Sequence, residues 1–375
     1  MNPPKNVTHV VENLNRGGLE RVVLDLVKLQ QQQGWRCQVV CLFERGALAH
    51  ELDALGIPVH ACGKRKGLDL AALSRARRLI RAHRTDVLHT HNAVAHYLAV
   101  LACLGLGVGK VINTRHGMGG MRRWERSELL YRAGLAGTDI VTMVCEAACG
   151  GAIEHGLVPR GKLRVVPNGL RVQEFATATP AARADLRQAL GLPPQTQLVG
   201  TVGRLNWAKD QASLIRAFRR VHEQLPDSVL VLVGEGSLRE ELEACARSED
   251  VSAAVHFLGD RDDVRELLQG LDVFALSSVS EGYSMALLEA CATALPIVAT
   301  DVGGNREIVQ DGVSGNIVPP RDEEALAHAI LALLRDPDRA ARFAAAARAM
   351  VETRGSLEAV AARYAELYGA QEQGA

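Results

Sequence analysis

Short apolar runs alternate with helix-length amphipathic stretches along almost the whole chain, and this alternation restricts the fold more than any other feature. The first half offers seven strand candidates, which read NVTHVV, RCQVVCLF, IPVHAC, DVLHTH, KVINTRH, DIVTMVC and KLRVVPNG. Stretches long enough for helices lie between them, for example residues 19–33, 71–83 and 124–136. Short, fully apolar strands that alternate with helices predict a doubly wound α/β fold with a parallel sheet.

The alternation lapses after Gly169, in the stretch RVQEFATATPAARA, and then begins again. The second series of strand candidates reads QLVGTVGRL, SVLVLVGEG, VHFLGD, DVFALSS, PIVATD and GNIVPP. The chain therefore predicts two Rossmann-like parallel-sheet domains, over residues 1–170 and 171–355. Because ligands bind beyond the carboxyl ends of the strands in such sheets, a cleft between the two domains is expected.

Composition argues against several classes of protein. Lys and Arg together number 43, as do Asp and Glu, so no nucleic-acid partner and no bulk membrane binding are indicated. The eight cysteines form no CxxC pair and mostly lie in apolar runs, which is typical of small buried side chains in a reducing compartment. The start MNPPKNVTHVVENL has no pattern of a secretion signal, so a cytoplasmic location is expected.

Residues 92–109 need a separate explanation, because these 18 residues include no Asp, Glu, Lys or Arg. That length approaches what is needed to span a bilayer. The stretch contains Asn92 and His96, however, and glycines interrupt it from Gly105 onward. A buried core helix of about a dozen residues is the favoured interpretation.

Glycines and histidines stand just beyond strand candidates of the first half. Gly17 and Gly18 open the first helix, where bare backbone N–H groups can approach an anion; a structural turn is the alternative, and GxGxxG is absent. His89 is interpreted as a packing residue. His91 and His116 each end a strand candidate, so both a role in the cleft and simple packing are open for them.

Two cations follow the first strand of the second domain, in VGRLNWAKD. Arg204 and Lys209 can hold a diphosphate there, Arg through a forked contact and Lys as a point charge; a solvated surface pair is the alternative. The triplet Asp260-Arg261-Asp262 has the DxD pattern of metal-bound sugar nucleotides, but it directly precedes a helical segment. Aspartates are expected to cap that helix, so no metal is predicted.

The stretch SEGYSMALLEA, residues 280–290, joins a loop to the start of a helix. Ser284 is the expected N-cap, and Gly282 permits close approach of the loop backbone. The free N–H groups of residues 283–285 would point at an anion beyond the helix tip. Glu281 precedes the helix and Glu289 lies about 7.5 Å along it, so a nucleotide-sugar could place its sugar towards Glu281 and its ribose beside Glu289. Two solvated carboxylates are the alternative.

The two glutamates form a Glu-x7-Glu element, which continues into ALPIVATDVGGNREIVQDGVSGNIVPP. Supporting segments are VGRLNWAKD, VVPNGL, VGEGSLREEL, VHFLGDRDDV and GGLERVVLDL. In this combination the sequence resembles the retaining glycosyltransferases of family 4, which have the GT-B fold of two Rossmann-like domains facing each other across a cleft. The resemblance covers essentially the whole chain and is densest between residues 199 and 320. It also implies that a final helix, about 356–370, packs back on the first domain.

The resemblance implies specific roles for the residues at the strand ends. Arg204 and Lys209 would hold the donor diphosphate, Glu289 the ribose, and Glu281 would face the transferred sugar, with His116 also near that sugar. The implied catalytic residues are His116, Arg204, Lys209 and Glu281, and the implied donor-binding residues are Gly17, Gly18, Arg204, Lys209, Gly282, Tyr283, Ser284, Met285 and Glu289. Ser284 is a departure, because many relatives carry glycine there.

The resemblance implies an enzyme that moves a sugar from a nucleoside diphosphate sugar, with a UDP-sugar favoured over a GDP-sugar, to an acceptor hydroxyl. The acceptor would be a glycan, a glycolipid or a polyprenyl-linked saccharide, and neither a cofactor nor a metal is expected. A sugar-nucleotide epimerase of the same architecture and a non-catalytic nucleotide-sugar binder are the alternatives. The segment Met121–Arg126, MRRWER, either contacts the inner face of the membrane or is a solvated basic helix start.

Overall fold

The chain folds into two units, each built on its own parallel sheet. The structure, a computed structural model, describes residues 5–67, 69–117 and 126–369, with the backbone alone for Arg126. The first unit comprises the described residues up to Gly169 together with those from Leu357 onward, and the second unit is Leu170–Ser356. The break between Gly169 and Leu170 lies directly before the stretch, from Arg171 onward, in which the alternation of apolar runs lapses.

The sheet of the first unit has seven parallel strands in the order β3-β2-β1-β4-β5-β6-β7. The strands are β1 (Asn6–Val11), β2 (Arg36–Cys41), β3 (Val59–Ala61), β4 (Val87–His91), β5 (Lys110–Arg115), β6 (Ile140–Met143) and β7 (Leu163–Val165). Each lies inside a stretch expected to be a strand, and each is one to five residues shorter than that stretch or equal to it. The order reverses between β1 and β4, which is the position where ligands bind in open parallel sheets.

Helices connect these strands in the first unit. They are α1 (Gly18–Gln32), α2 (Ala49–Asp53), α3 (Leu70–Ala82), α4 (Asn92–Cys103), α5 (Arg126–Gly134) and α6 (Glu146–Glu154). Local sequence explains several boundaries: the Asp69 side chain caps α3 by accepting from the Ala72 amide. The apolar residues of α1 at helical spacing, among them Val23 and Val27, are fully buried against the sheet.

The sheet of the second unit has six parallel strands in the order β10-β9-β8-β11-β12-β13. The strands are β8 (Gln197–Val202), β9 (Ser228–Val233), β10 (Val255–Gly259), β11 (Val273–Leu276), β12 (Ile297–Thr300) and β13 (Asn316–Val318). The helices are α7 (Pro180–Ala189), α8 (Gln211–Gln224), α9 (Arg239–Ser248), α10 (Val264–Gln269), α11 (Met285–Ala292), α12 (Asn305–Ile308), α13 (Glu323–Arg335) and α14 (Pro337–Arg354). The strand order reverses between β8 and β11, as it does between β1 and β4 in the first unit.

The last helix, α15 (Leu357–Leu367), belongs to the first unit although it follows the second along the chain. Tyr364 within it and Tyr368 just after it are buried, and their hydroxyls contact polar side chains of the first sheet. The Tyr364 hydroxyl lies 3.0 Å from Oγ1 of Thr114, and the Tyr368 hydroxyl lies 2.6 Å from Nδ1 of His89. The final helix therefore completes the core of the first unit.

The charge-free segment 92–109 forms the 12-residue helix α4 followed by a glycine turn, and seven of its helical residues are buried. Across the described part of the chain, no helix combines the length and the apolarity needed to cross a membrane. The interpretation as a core helix is confirmed. No disulfide joins the eight cysteines, all of which lie in the described part of the chain, and six of them are buried, as expected for small apolar side chains.

Candidate functional site

Two loops from neighbouring strands lie side by side at the strand-order reversal of the second unit. One follows β8 and contains Arg204 and Lys209; the other follows β11 and contains Glu281. Residues 74 positions apart along the chain pair directly in β8 and β11, for example Val199 with Val273. The parallel sheet thus brings together the cations and the carboxylate that the sequence places in separate motifs.

The loop after β8 has a fixed conformation. Asn206 Oδ1 accepts hydrogen bonds from the amides of Ala208, at 3.1 Å, and Lys209, at 3.2 Å. Ser277, just after β11, donates its hydroxyl to the carbonyls of Lys209 and Asp210, at 3.0 and 2.9 Å. These bonds orient the backbone of Lys209 without involving its ammonium group.

Lys209 and Glu281 form an ion pair. The Lys209 Nζ lies 2.5 Å from Glu281 Oε1, and the Ser278 hydroxyl donates to the same oxygen at 2.6 Å. The pair is largely withdrawn from solvent, with 20% of the Lys209 side chain and 10% of the Glu281 side chain exposed. The interpretation of Glu281 as a solvated charge is therefore wrong.

A glycine after β12 fixes the backbone of Glu281. A Cβ atom on Gly303 would lie 1.9 Å from the Glu281 carbonyl oxygen, so only glycine fits at this contact. Gly303 also has φ of +52°, which disfavours other residues. The next amide, of Gly304, donates to the Gly282 carbonyl at 2.8 Å. The turn after β12 therefore packs directly against the loop that carries Glu281.

Helix α11 starts where the sequence predicts. Ser284 is its N-cap, and the hydroxyl accepts from the Leu287 amide at 3.4 Å. Because the serine performs this capping role, it has a structural reason to replace the glycine of many relatives. Glu281 precedes the helix and Glu289 lies in its second turn, partly exposed. The two carboxylates thus occupy different environments, as the spacing indicates.

Arg204 is exposed, but its backbone is anchored because Gln211 Nε2 donates to the Arg204 carbonyl at 2.9 Å. The adjoining Gly203 packs against the Lys209 side chain: a Cβ there would lie 3.2 Å from Lys209 Cε. The loop therefore places two cations, the exposed Arg204 and the largely buried Lys209, within a short segment. This arrangement can receive a divalent anion.

Gly17 is the N-cap of α1, and Gly18 is its first residue. Gly17 has an extended backbone, with φ of 179° and ψ of 160°, and no side-chain capping bond. Since residues of any type adopt this φ, the turn alone does not require a glycine. Close approach of an anion to the bare helix start remains a prediction.

Three histidines of the first unit form a continuous hydrogen-bonded chain across neighbouring strands. His9 Nδ1 lies 3.1 Å from His91 Nε2, and His91 Nδ1 lies 3.0 Å from His116 Nε2. The far nitrogen of His9, Nε2, lies 2.8 Å from Gln30 Oε1. We call Gln30, His9, His91 and His116 the histidine relay. His9 is on β1, His91 ends β4 and His116 directly follows β5.

Burial decides the charge of these imidazoles. Desolvation lowers the pKa of His9 and of His116 to about 4, and it lowers the pKa of His91 well below its usual value. All three are therefore neutral at pH 7. His91 is 2% exposed, so a direct role in a cleft is wrong for it; His116 is partly exposed. His89 is a fully buried residue, as expected, but both of its nitrogens are hydrogen-bonded.

The nitrogens of His9, His89 and His91 lie within 4.8 Å of one another, which is close enough to consider a metal. The two His89 nitrogens, however, are bonded to the hydroxyls of Tyr368 and Thr114, at 2.6 and 2.7 Å. A cation would have to break these bonds in a fully buried place, so the cluster suits hydrogen bonding better than metal binding.

The DxD segment differs from the expectation in one respect. Helix α10 begins at Val264, and its N-cap is Asp263, whose carboxylate makes no capping bond. Arg261 holds that carboxylate instead, with Nε at 2.7 Å and the second nitrogen at 2.5 Å. The prediction of a side-chain cap is therefore wrong, because a charge-assisted fork is stronger than a capping bond. The basic segment Met121–Arg126 lies outside the described residues, apart from the Arg126 backbone.

Sequence reasoning missed three residues that build the site of the second unit, namely Asn206, Ser278 and Gly303. Two adjacent serines directly after a buried strand, Ser277 and Ser278, were an available signal, because hydroxyls at that position can bond to a neighbouring loop. No local pattern indicates the contact made by Gly303, since it depends on packing between two separate loops.

Two protein-family profiles match most of the chain. The profile of glycosyl transferases group 1 matches residues 182–350, and that of glycosyltransferase family 4 matches residues 16–174. Among named relatives, the GDP-mannose-dependent alpha-(1-6)-phosphatidylinositol monomannoside mannosyltransferase of Mycobacterium tuberculosis is 31% identical over 305 residues, which are 78% of either chain. The Escherichia coli UDP-Gal:alpha-D-GlcNAc-diphosphoundecaprenol alpha-1,3-galactosyltransferase is 28% identical over 335 residues, 85% of either chain.

Solved structures match along the same length. The crystal structure of Anabaena HepE in complex with UDP has a TM-score of 0.86 with this chain at 22% sequence identity. The superposition covers 98% of this chain and 100% of the Anabaena chain. At this identity the likeness shows a shared fold.

Proposed function

Because this chain belongs to glycosyltransferase family 4 and has the GT-B fold, we propose that it transfers a sugar, with retention at the anomeric carbon, from a nucleoside diphosphate sugar to an acceptor hydroxyl. The chain is a glycosyltransferase that uses nucleotide sugars on glycan or glycolipid acceptors. The stereochemistry, the donor and the assignment of each site residue are the proposed part.

The observation that carries the proposal is the Lys209–Glu281 pair, held at the strand-order reversal ahead of helix α11. Departure of a diphosphate leaves negative charge on phosphate oxygens and positive charge on the sugar. Lys209, Arg204 and the amides at the start of α11 supply a positive field for the phosphates. Glu281 supplies negative charge where the sugar becomes cationic.

The remaining assignments are proposed from the family to which the chain belongs. Glu289, one to two turns along α11, is proposed to bind the ribose hydroxyls. The amides of Gly282, Tyr283, Ser284 and Met285 face the sugar and phosphates. In the first unit, the bare start of α1 at Gly17 and Gly18 is proposed to approach the phosphates or the acceptor, and His116 to contact a sugar hydroxyl. No metal is assigned, because cations and helix amides supply the charge that a metal supplies elsewhere.

A UDP-sugar is the proposed donor. The Escherichia coli relative, which has the greater coverage of the two relatives, is named for UDP-Gal, and the Anabaena structure contains UDP. The Mycobacterium tuberculosis relative is named for GDP-mannose, so a GDP-sugar is the alternative donor. The name of the Escherichia coli relative contains a diphosphoundecaprenol acceptor, and the name of the Mycobacterium tuberculosis relative contains a phosphatidylinositol acceptor. We therefore propose a lipid-linked saccharide as the acceptor, met at the cytoplasmic face of the membrane.

A thermal-shift panel followed by turnover assays tests this proposal. A ligand that binds only the folded state raises the melting temperature, so UDP should raise it more than GDP at equal concentration. UDP release from a UDP-sugar should then require an acceptor. Product formed from donor alone would indicate the epimerase, and a melting shift without any turnover would indicate a non-catalytic binder.

A further inference from the structure

The histidine relay has a direction, because a neutral imidazole carries one proton and offers one lone pair. Within a chain of neutral imidazoles, each hydrogen bond needs a proton on one nitrogen and a lone pair on the other. Once the position of the proton on His9 is known, the positions of the protons on His91 and His116 follow. The contacts at the Gln30 end therefore determine what His116 presents at the other end.

Three contacts orient the amide of Gln30. Its Oε1 lies 2.8 Å from His9 Nε2 and 3.7 Å from the Cys37 sulfur, a weak donor to that oxygen. Its Nε2 lies 3.3 Å from the Tyr368 hydroxyl, to which it donates. The Tyr368 hydroxyl is then free to donate its proton to His89 Nδ1, and the short 2.6 Å separation suits an O–H donor.

The proton positions follow in sequence from this orientation. His9 donates from Nε2 to Gln30, so its Nδ1 is a lone pair that accepts from His91 Nε2. His91 in turn accepts at Nδ1 from His116 Nε2. His116 therefore carries its proton on Nε2 and has a lone pair on Nδ1. Among the described residues, His116 Nδ1 is buried and has no hydrogen-bond partner. Burial lowers the pKa of His116 to about 4, and the nearby Asn168 side chain offsets only part of this lowering.

We propose that Gln30, His9 and His91 are positioning residues that fix His116 as the Nε2–H tautomer, so that its Nδ1 accepts a hydrogen bond from a sugar hydroxyl. The opposite direction is chemically consistent as well: a Gln30 amide turned by half a rotation would donate to His9 and move every proton to the other nitrogen. His116 would then present an Nδ1–H, which suits a phosphate oxygen. The assigned direction thus selects a hydroxyl and disfavours an anion at this position.

The proton position can be measured without any activity assay. Chain labelled with ¹⁵N-histidine gives long-range ¹H–¹⁵N correlations that distinguish protonated from unprotonated ring nitrogens. The His116 signals are assigned by their loss in the His116→Gln variant. At pH 7 we expect a single pattern for His116, with the proton on Nε2 and an unprotonated Nδ1. A proton on Nδ1 in the unaltered chain would overturn the proposal. Beyond the His116→Gln variant used for assignment, this measurement does not require Gln30, His9 or His91 to be changed.

The His91→Leu variant tests the connection. Without His91, the Nε2–H of His116 has no acceptor, so its signals should move towards a mixture of both tautomers. The matched control is His96→Leu, which removes another buried histidine of the first unit. His96 bonds only the hydroxyls of Thr90, at 2.8 Å, and Thr138, at 2.9 Å, among the contacts given by the described residues, and it is outside the relay. This control should leave the His116 pattern unchanged. An unchanged pattern in His91→Leu would contradict the relay.

The functional half of the inference rests on the proposed sugar transfer. His91→Leu should lower kcat roughly three- to tenfold, which is the size of one neutral hydrogen bond, with the affinity for UDP unchanged. His96→Leu should keep the kcat of the unaltered chain. If His91→Leu changes the tautomer and keeps full kcat, the relay has no positioning role. If the unaltered chain transfers no sugar, the proposed function fails while the spectra still decide the direction of the relay.

Discussion

The ammonium of Lys209 is bonded to the Glu281 carboxylate, and a bound diphosphate would compete with that carboxylate for it. The contacts of each residue therefore depend on the other, although the two residues belong to separate sequence motifs and were given separate roles. On the proposed function, Glu281 holds Lys209 in place until the diphosphate displaces the carboxylate. Glu281 would then be released to face the sugar. This coupling predicts the behaviour of two variants.

Lys209→Ala should lower kcat about 100- to 1000-fold, because the lost charge stabilises the departing diphosphate. Steady-state kinetics with saturating donor measure this effect. Arg239→Ala serves as the control, since it removes a cation at the start of helix α9 that pairs with Glu243, at 2.5 Å, and with Glu235, at 3.1 Å, rather than with Glu281. It should keep nearly full activity. Equal rates for Lys209→Ala and Arg239→Ala would disprove the diphosphate assignment.

Glu281→Gln should lower kcat strongly while UDP binds severalfold more tightly, because the neutral amide no longer competes with the phosphates for Lys209. Isothermal titration with UDP measures the binding. Weaker binding would mean that Glu281 serves chiefly to position Lys209.

Glu289→Gln should behave in the opposite way, with a raised donor KM and a smaller change in kcat. A ribose contact is the same in the ground state and the transition state, so its loss affects binding rather than the chemical step. Titration with UDP, which retains the ribose, should show the same weakening. Unchanged UDP affinity would leave Glu289 as a solvated carboxylate.

The elements of both sheets could be predicted from the sequence because each strand is a short apolar run and each helix has its own periodicity. Ser284 as the cap of α11 followed from the same local reasoning. What could not be predicted depends on contacts between separate elements: the Gly303 turn against the Glu281 loop, the Lys209–Glu281 pair, and the fork from Arg261 that takes Asp263 away from α10. The relay was missed because His9, His91 and His116 are adjacent only once three strands pair.

The turn after β12 offers a test at this scale. Gly303→Ala should lower the free energy of unfolding by more than about 2 kcal/mol, because the new Cβ displaces the backbone of Glu281. The same displacement should lower the activity of the molecules that remain folded. The matched control is Gly312→Ala, which has a similar φ of +71° but nothing within 4 Å of the new Cβ. Chemical denaturation of both variants separates the cost of the left-handed conformation from the cost of the contact. Equal losses of stability would show that the contact with Glu281 is unimportant.

For the whole molecule, the buried histidines predict how stability depends on pH. Burial lowers the pKa of His9 and His116 to about 4 and of His96 to about 3, and it lowers the pKa of His89 and His91 well below the usual value. The unfolded chain therefore binds more protons than the folded chain below about pH 6.5. The contribution of these histidines to the free energy of unfolding is fully present above that pH. It is lost as the pH falls towards 4, by about 1.4 kcal/mol per pH unit for each histidine.

Melting temperatures between pH 7.5 and 4.5 should show this decline. His96→Leu removes one of the five groups, so its stability should fall less steeply with pH even if it is lower at pH 7.5. A parallel pH dependence in the two proteins would contradict the assignment of His96 as a buried neutral group.

Metal independence is a further prediction for the whole enzyme. If Lys209, Arg204 and the α11 amides carry the charge of the leaving group, EDTA should leave turnover nearly unchanged. The control is a repeat with added manganese after chelation. A tenfold or greater loss with EDTA that manganese restores would reinstate Asp260 and Asp262 as ligands.

The placement of α15 has a consequence for the order in which the protein matures on the ribosome. The first unit is begun earliest, yet its core awaits Tyr364 and Tyr368, which are synthesised only after all of Leu170–Ser356. Until then His89 lacks the hydroxyl of Tyr368 and Thr114 lacks that of Tyr364, while the second unit is already contiguous in the nascent chain. Domains generally fold as units during synthesis, N-terminal first. Here the unit translated first is the one finished last, so a polypeptide released before α15 is made would carry a complete second unit and a first unit that lacks its two closing tyrosines.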